Sequence, residues 1–142
     1  MSSLRLALLV ESDQGSREKV AAALRQEIGC VVFEAGTRDE AFAILQERDI
    51  NLLLTNVELA ESSGVDLLKE VCSKYPQVVT VAALPYEQRN LVVEVARCGA
   101  FQNVFLPYET TEAVIAVAKG LRYSDAQINR PKQGSKIRKS ES

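Results

Sequence analysis

The sequence of 142 residues contains no histidine. That absence removes the commonest general base and metal ligand, and with them any role as a histidine phosphodonor. Cysteine is scarce: Cys30, Cys72 and Cys98 are odd in number and far apart, without the paired spacing of zinc or redox sites. They are expected as buried free thiols. No apolar run approaches the roughly 20 residues that cross a bilayer. The N-terminus offers one arginine, Arg5, and then a short apolar run that leads into acidic residues. This is not the pattern of a secretion signal, so the cytoplasm is the expected location and no membrane partner is expected. A glycine-rich phosphate loop is missing too, because Glu11-Ser12-Asp13-Gln14-Gly15 fits neither the dinucleotide fingerprint nor the P-loop.

What is present is the material of one soluble domain. Hydrophobic residues make up 46% and charged residues 25% of the chain, which suffices for a single core at this length. Charge is unevenly placed. From Tyr123 onward Arg130, Lys132, Lys136, Arg138 and Lys139 outnumber Asp125 and Glu141. The expected division is a folded body over residues 1–122 and a basic, disordered tail or linker over residues 123–142.

Residues 4–10 form an apolar stretch broken only by Arg5, followed by a polar helix start at Ser12-Asp13 and by Val20, Leu24 and Ile28 at a spacing of four. This reads as a strand and then an amphipathic helix. Gly29 is placed for a left-handed helix cap, and residues 30–33 form a β-branched second strand. Thr37 and Glu40 predict a capping box, with Ala41, Ile44 and Leu45 on the apolar face behind it. Residues 50–55 are apolar enough for a strand covered on both sides. Val65, Leu68, Val71 and Cys72 mark a third helix after Gly64, and Pro76 stops it. A fourth strand over 78–83, a fourth helix over 86–98, a short strand over 104–106 and a fifth helix over 110–121 complete the series. Five strands alternating with five helices require right-handed crossovers and a doubly wound parallel sheet, an α/β fold. Its crevice lies outside the carboxyl ends of the strands.

Four segments at those positions resemble landmarks of the response-regulator receiver domain, over about residues 4–122. Leu8-Leu9-Val10-Glu11-Ser12-Asp13 is similar to the first strand with its acidic pair. Leu53-Leu54-Thr55-Asn56, with Gly64 after it, resembles the phosphoacceptor strand and its loop glycine. Val79-Thr80-Val81-Ala82-Ala83 resembles the strand that ends in threonine or serine and then alanine. Cys98-Gly99-Ala100, with Val104-Phe105-Leu106-Pro107-Tyr108, is similar to the glycine-alanine and lysine-proline-phenylalanine segment, whose proline is often cis. The resemblance implies a flavodoxin-like five-stranded parallel sheet with five helices. In the family an aspartate on strand three takes a phosphoryl group from a phosphohistidine, with a divalent ion held by that aspartate and the acidic pair.

The residues aligned with that chemistry are Glu11, Ser12, Asn56, Ala82 and Leu106. Asn56 is no useful nucleophile, one of two paired carboxylates is gone, and neither a hydroxyl at 82 nor a lysine at 106 is available. With Asn56 neutral, a lysine at 106 would lack its partner, whereas leucine packs. A degenerate phosphoacceptor pocket is therefore expected, with no catalytic residue, metal or cofactor. Asn56 reads either as a residue satisfying loop N–H groups or as a mimic of one switch state. Glu11 and Asp13 are expected to serve the following helix start.

The expected function is a pseudo-receiver in bacterial signal transduction that binds other signalling proteins or a second copy of itself. Its candidate partner face comprises Leu91 and Val92 on helix four, Asn103 in place of the aromatic switch residue, Tyr108 and Ile115. The alternatives are phosphorylation at a non-standard residue such as Asp13 or Ser12, and a nucleic-acid-associated regulator working through the basic tail. Nucleic acid is not the expected partner, because no aromatic interleaving or recognition helix accompanies the basic residues.

Overall fold

The computed structural model describes residues 4–128. The chain alternates β1 (Leu6–Val10), α1 (Gln14–Glu27), β2 (Val31–Ala35), α2 (Arg38–Glu47), β3 (Leu52–Asn56), α3 (Gly64–Lys74), β4 (Val79–Pro85), α4 (Leu91–Arg97), β5 (Gln102–Leu106) and α5 (Thr110–Ile128). All strand pairs are parallel, in the order β2-β1-β3-β4-β5. The doubly wound α/β sheet expected from the sequence is what forms.

Each face of the sheet buries its own core, as the period-two alternation of strand side chains requires. Leu9, Leu52, Leu54 and Val81 meet Val20 and Leu24 of α1 and Val117 and Leu121 of α5. On the other face Leu8, Leu53 and Leu84 meet Leu45, Leu67, Leu68, Val71 and Val95 from α2, α3 and α4. The helix ends obey their local chemistry. Asp13 caps α1 by accepting from the Ser16 N–H at 2.8 Å. That bond, more than the nearby Arg17, holds the Asp13 carboxyl below the usual carboxylate range. Thr37 caps α2 by accepting from the Glu40 N–H, but the Glu40 carboxylate in return accepts from the Gly36 N–H, one residue further back than in a capping box. Gly29 takes the expected left-handed conformation, with φ 80°.

Strand ends shift by one or two residues, β2 running on to Ala35 and β5 starting at Gln102, and three further differences have a physical reason. β4 runs two residues past Ala83, to Pro85, because the last two strand residues still pair with Phe105 and Leu106 of β5. The continuous helix expected over 86–98 is a single 3-10 turn, Tyr86–Gln88, and then the seven-residue α4. Asn90 supplies no side-chain cap there, and Val92 and Val93 are poor helix formers. The third difference is α5, which continues past Leu121 into the segment expected as tail. The Phe101 and Tyr123 rings stack at 5.0 Å, Arg5 pairs with Asp125 at 3.4 Å, and Ser124 is buried. Those contacts hold a stretch of helix that its own polarity would leave in solvent; the rest of the expected tail, 129–142, lies outside the described residues. Of the three cysteines only Cys30 is buried, Cys72 and Cys98 being half-buried, and all are free thiols. Among the described residues no helix is long and apolar enough to cross a membrane. The Leu106–Pro107 peptide is cis.

Candidate functional site

The crevice at the carboxyl ends of β1 and β3 gathers Glu11, Ser12 and Asn56. Glu11 follows the last residue of β1, where its N–H is drawn into the sheet by Ala35 O, so its side chain projects over the strand ends. Asn56 closes β3. The two are 45 residues apart in sequence and meet directly: Asn56 Nδ2 donates to Glu11 Oε1 at 2.9 Å. Glu11 Oε2 accepts from the Asp13 N–H at 3.0 Å, and Asn56 Oδ1 accepts from the Glu58 N–H at 2.8 Å. The Ser12 hydroxyl donates to Gly36 O and accepts from the Ala60 N–H at 2.8 Å. Glu58 is held from a second side by the Gln88 amide. Thus Asn56 fastens β1 to the loop after β3 with both ends of its amide, and each named side chain is bonded within the chain itself.

The electrostatics follow from burial. Glu11 is 4% exposed and receives only neutral donors. The nearest guanidinium, Arg17, donates to the main-chain oxygen of Glu11 and pairs with Glu34 instead. A hard divalent cation takes oxygen ligands, several of them carboxylate. The pocket offers one carboxylate with both oxygens already bonded, an amide turned to other partners and a committed hydroxyl. These residues do not fit such an ion, and among the described residues no group of three or more His, Cys, Asp or Glu side chains could hold one.

The flanks of the pocket are apolar. Ala82 is sealed in the core beside α2 and α3, and Leu84, two residues further along the longer β4, is fully buried in the same core. Leu106 packs on the opposite core with α1 and α5.

The partner face differs from the sequence expectation in two of its members. Leu91 and Val92 are half-buried against the α2–α3 core, because the first turn of so short a helix rolls both of them inward. The exposed large apolar residue of α4 is Val93, at 56%. Ile115 is exposed as expected, and Asn103 is half-buried on the edge strand. Tyr108 is half-buried: it packs against the core shared with α1 and α5, and its hydroxyl is buried. Tyr86, which the sequence did not single out, is exposed, packs edge-on to Phe105 at 5.5 Å and carries the Arg89 guanidinium over its ring. Its place beside β5 depends on where β4 ends.

Comparison with known proteins bears on the fold and the family. The transcriptional regulatory protein PdtaR of Mycobacterium tuberculosis is 29% identical over 115 residues, 80% of this chain and 55% of PdtaR. The hydrogenase transcriptional regulatory protein HoxA of Cupriavidus necator is 22% identical over 84% of this chain and 25% of its own length. The chain thus spans between a quarter and about half of these relatives. Among solved structures, a CheY-like response regulator receiver domain protein from Methanospirillum hungatei superposes with a TM-score of 0.80 at 22% identity, over 88% of this chain and 99% of that one. The receiver domain of NtrX from Brucella abortus gives 0.77 at 24% identity, over 82% and 98%. The profile of the response regulator receiver domain matches residues 7–118, and on that match the chain belongs to the response regulator receiver domain family.

Proposed function

We propose that this receiver domain no longer accepts a phosphoryl group and works as a phosphorylation-independent protein-interaction module in bacterial signal transduction. One observation carries the reading: the amide of Asn56 bonds straight to the Glu11 carboxylate. An amide nitrogen with its lone pair delocalised does not attack phosphorus, and here it also takes up the carboxylate oxygen that a cation would need. Ala82, Leu84 and Leu106 offer nothing to an anionic transition state, which demands donors or positive charge. Asp13 is an unsuitable substitute acceptor, since its carboxylate is engaged as the α1 cap, and the Ser12 hydroxyl is bonded on both sides. The names of the relatives are those of regulators, which supports a non-enzymatic role in the cytoplasm. The basic residues of the nucleic-acid alternative lie outside the described residues. Acetyl phosphate or beryllofluoride with magnesium is expected to leave the protein unchanged; a stoichiometric acid-labile phosphoprotein, or magnesium-dependent amide shifts around Asn56, would overturn the reading.

The partner face best supported lies around the β5 edge, with Val93 of α4, Tyr86, Asn103 and Ile115 of α5. Its partner is another signalling protein or a second copy of the chain. Val93→Glu is expected to weaken that association about 100-fold, because the buried charge would cost several kcal/mol. The melting temperature should stay within about 1 °C, since an exposed position carries little of the fold. Sedimentation and partner titration at wild-type levels would move the working surface elsewhere.

A further inference from the structure

Among the described residues one buried side-chain polar atom makes no hydrogen bond, the hydroxyl of Tyr108. A buried hydroxyl without a partner is costly, so its placement calls for a physical reason. The half-buried ring packs against the core between the sheet and the α1–α5 layer. Glu11 is the charged group that bears on this hydroxyl, and no hydrogen bond joins the two. Burial first, and then the Glu11 charge, push the phenol well above its usual pKa, so at neutral pH it keeps its proton and can only donate toward a carboxylate.

Glu11 needs such a donor. It is a buried carboxylate whose two partners, Asn56 Nδ2 and the Asp13 N–H, are neutral, and it enters none of the ion pairs among the described residues. A carboxylate offers about four lone-pair sites, so two remain open. The place where the receiver motif has lysine is Leu106, which leaves no cation. Two residues on, where the motif has phenylalanine, this chain carries a tyrosine. The chain has lost a charge over the pocket and gained a hydroxyl in it.

We propose that the Tyr108 hydroxyl is the third donor to Glu11, standing in for the missing cation and holding the pocket in one closed state. Tyr108 is thus a positioning residue, acting through Glu11 on the Asn56 amide and the loop after β3. The inference rests on the reading above that the pocket accepts no phosphoryl group, and its failure is separable from the failure of that reading.

The test is a double-mutant cycle on the full chain: wild type, Tyr108→Phe, Glu11→Gln and the pair, each unfolded in urea. Tyr108→Phe is expected to lower the folding constant about tenfold, as loss of a bond to a charged acceptor does, and by less than about threefold in the Glu11→Gln background. In wild type the Tyr108 hydroxyl proton should appear as a slowly exchanging NMR signal, which also decides the matter if Glu11→Gln does not fold. An unchanged or raised folding constant in Tyr108→Phe, as removal of an idle hydroxyl would give, overturns the proposal. Equal losses in both backgrounds, or a fast-exchanging hydroxyl proton, do the same. Any of these leaves the phosphorylation reading standing, whereas phosphorylation of the wild type would overturn that reading and leave the coupling intact.

Discussion

Asn56→Asp is expected to destabilise the domain by about 3 kcal/mol at pH 7, the scale of a buried charge without a partner. The new carboxylate would replace an amide that donates to Glu11 at 2.9 Å, turning a bond into a repulsion in a buried site. Burial and the neighbouring like charge both disfavour its ionisation, so the introduced carboxyl group would titrate above the ordinary carboxylate value of about 4. A folded-state pKa raised above the unfolded one penalises folding only once the unfolded carboxylate ionises. The deficit should therefore nearly vanish below about pH 4 and grow as pH rises toward the folded-state value. Magnesium at millimolar concentration should recover part of the loss at pH 7, because two facing carboxylates are the start of a cation site. Phosphotransfer should stay absent, since Ala82, Leu84 and Leu106 still flank the pocket. Urea unfolding of both proteins at pH 4 and pH 7, with and without magnesium, measures the stability terms, and acetyl phosphate tests the transfer. A deficit independent of pH, or efficient phosphorylation of the variant, would show that the pocket is not closed in the way the Asn56–Glu11 bond implies.

The parts of the fold that were legible in the sequence are those whose signal is local. β1 and β3 announce themselves as apolar runs because both faces of each are covered, and Asp13, Thr37 and Gly29 mark helix ends through bonds to their own neighbours. The parts that were not legible depend on distant partners. Nothing in Tyr123-Ser124-Asp125 predicts helix, because what holds it is Phe101 and an arginine 120 residues away in sequence. Leu84-Pro85 resembles the end of a strand already passed, yet β5 is long enough to pair with both residues. The same division runs through the site. Asn56, Glu11 and Leu106 could be named from the order of motifs, but that the amide of one binds the carboxylate of another is a fact of the sheet. An aromatic beside a helix start, such as Tyr108, reads equally well as a contact or a core residue; that its ring packs on the core and its hydroxyl is buried is visible only in the fold.

Gly64→Ala should be the other change of large effect, about 3 kcal/mol or more, which lies at the top of the range for overpacked sites. A Cβ at this position would collide with Asn56 O and fall 2.6 Å from Val57 Cα. Both are backbone atoms at the end of a central strand, so neither can rotate away. The closeness is needed because the chain leaves β3, makes a tight loop in which Glu58 bridges Ser63, and returns with the Gly64 N–H bonded to Val57 O at 2.8 Å. Ser63 then caps α3 by accepting from the N–H groups of Val65 and Asp66. Relief of the clash must push the start of α3 away from β3 and carry Glu58 with it, which breaks the 2.8 Å bond from its N–H to Asn56 Oδ1. Loss of stability and loosening of the Asn56 amide should therefore appear together. Gly15→Ala is the matched control: its Cβ would meet nothing closer than Asp13 Oδ2 at 3.7 Å, an ordinary contact, so the helix propensity of alanine should leave it neutral or more stable by up to about 1 kcal/mol. Thermal unfolding of the two variants, read beside the side-chain amide signals of Asn56, makes the comparison. A Gly64→Ala protein that melts with the wild type would mean that the β3–α3 loop has room it does not display, and that the glycine is there for some reason other than the approach of α3 to the site.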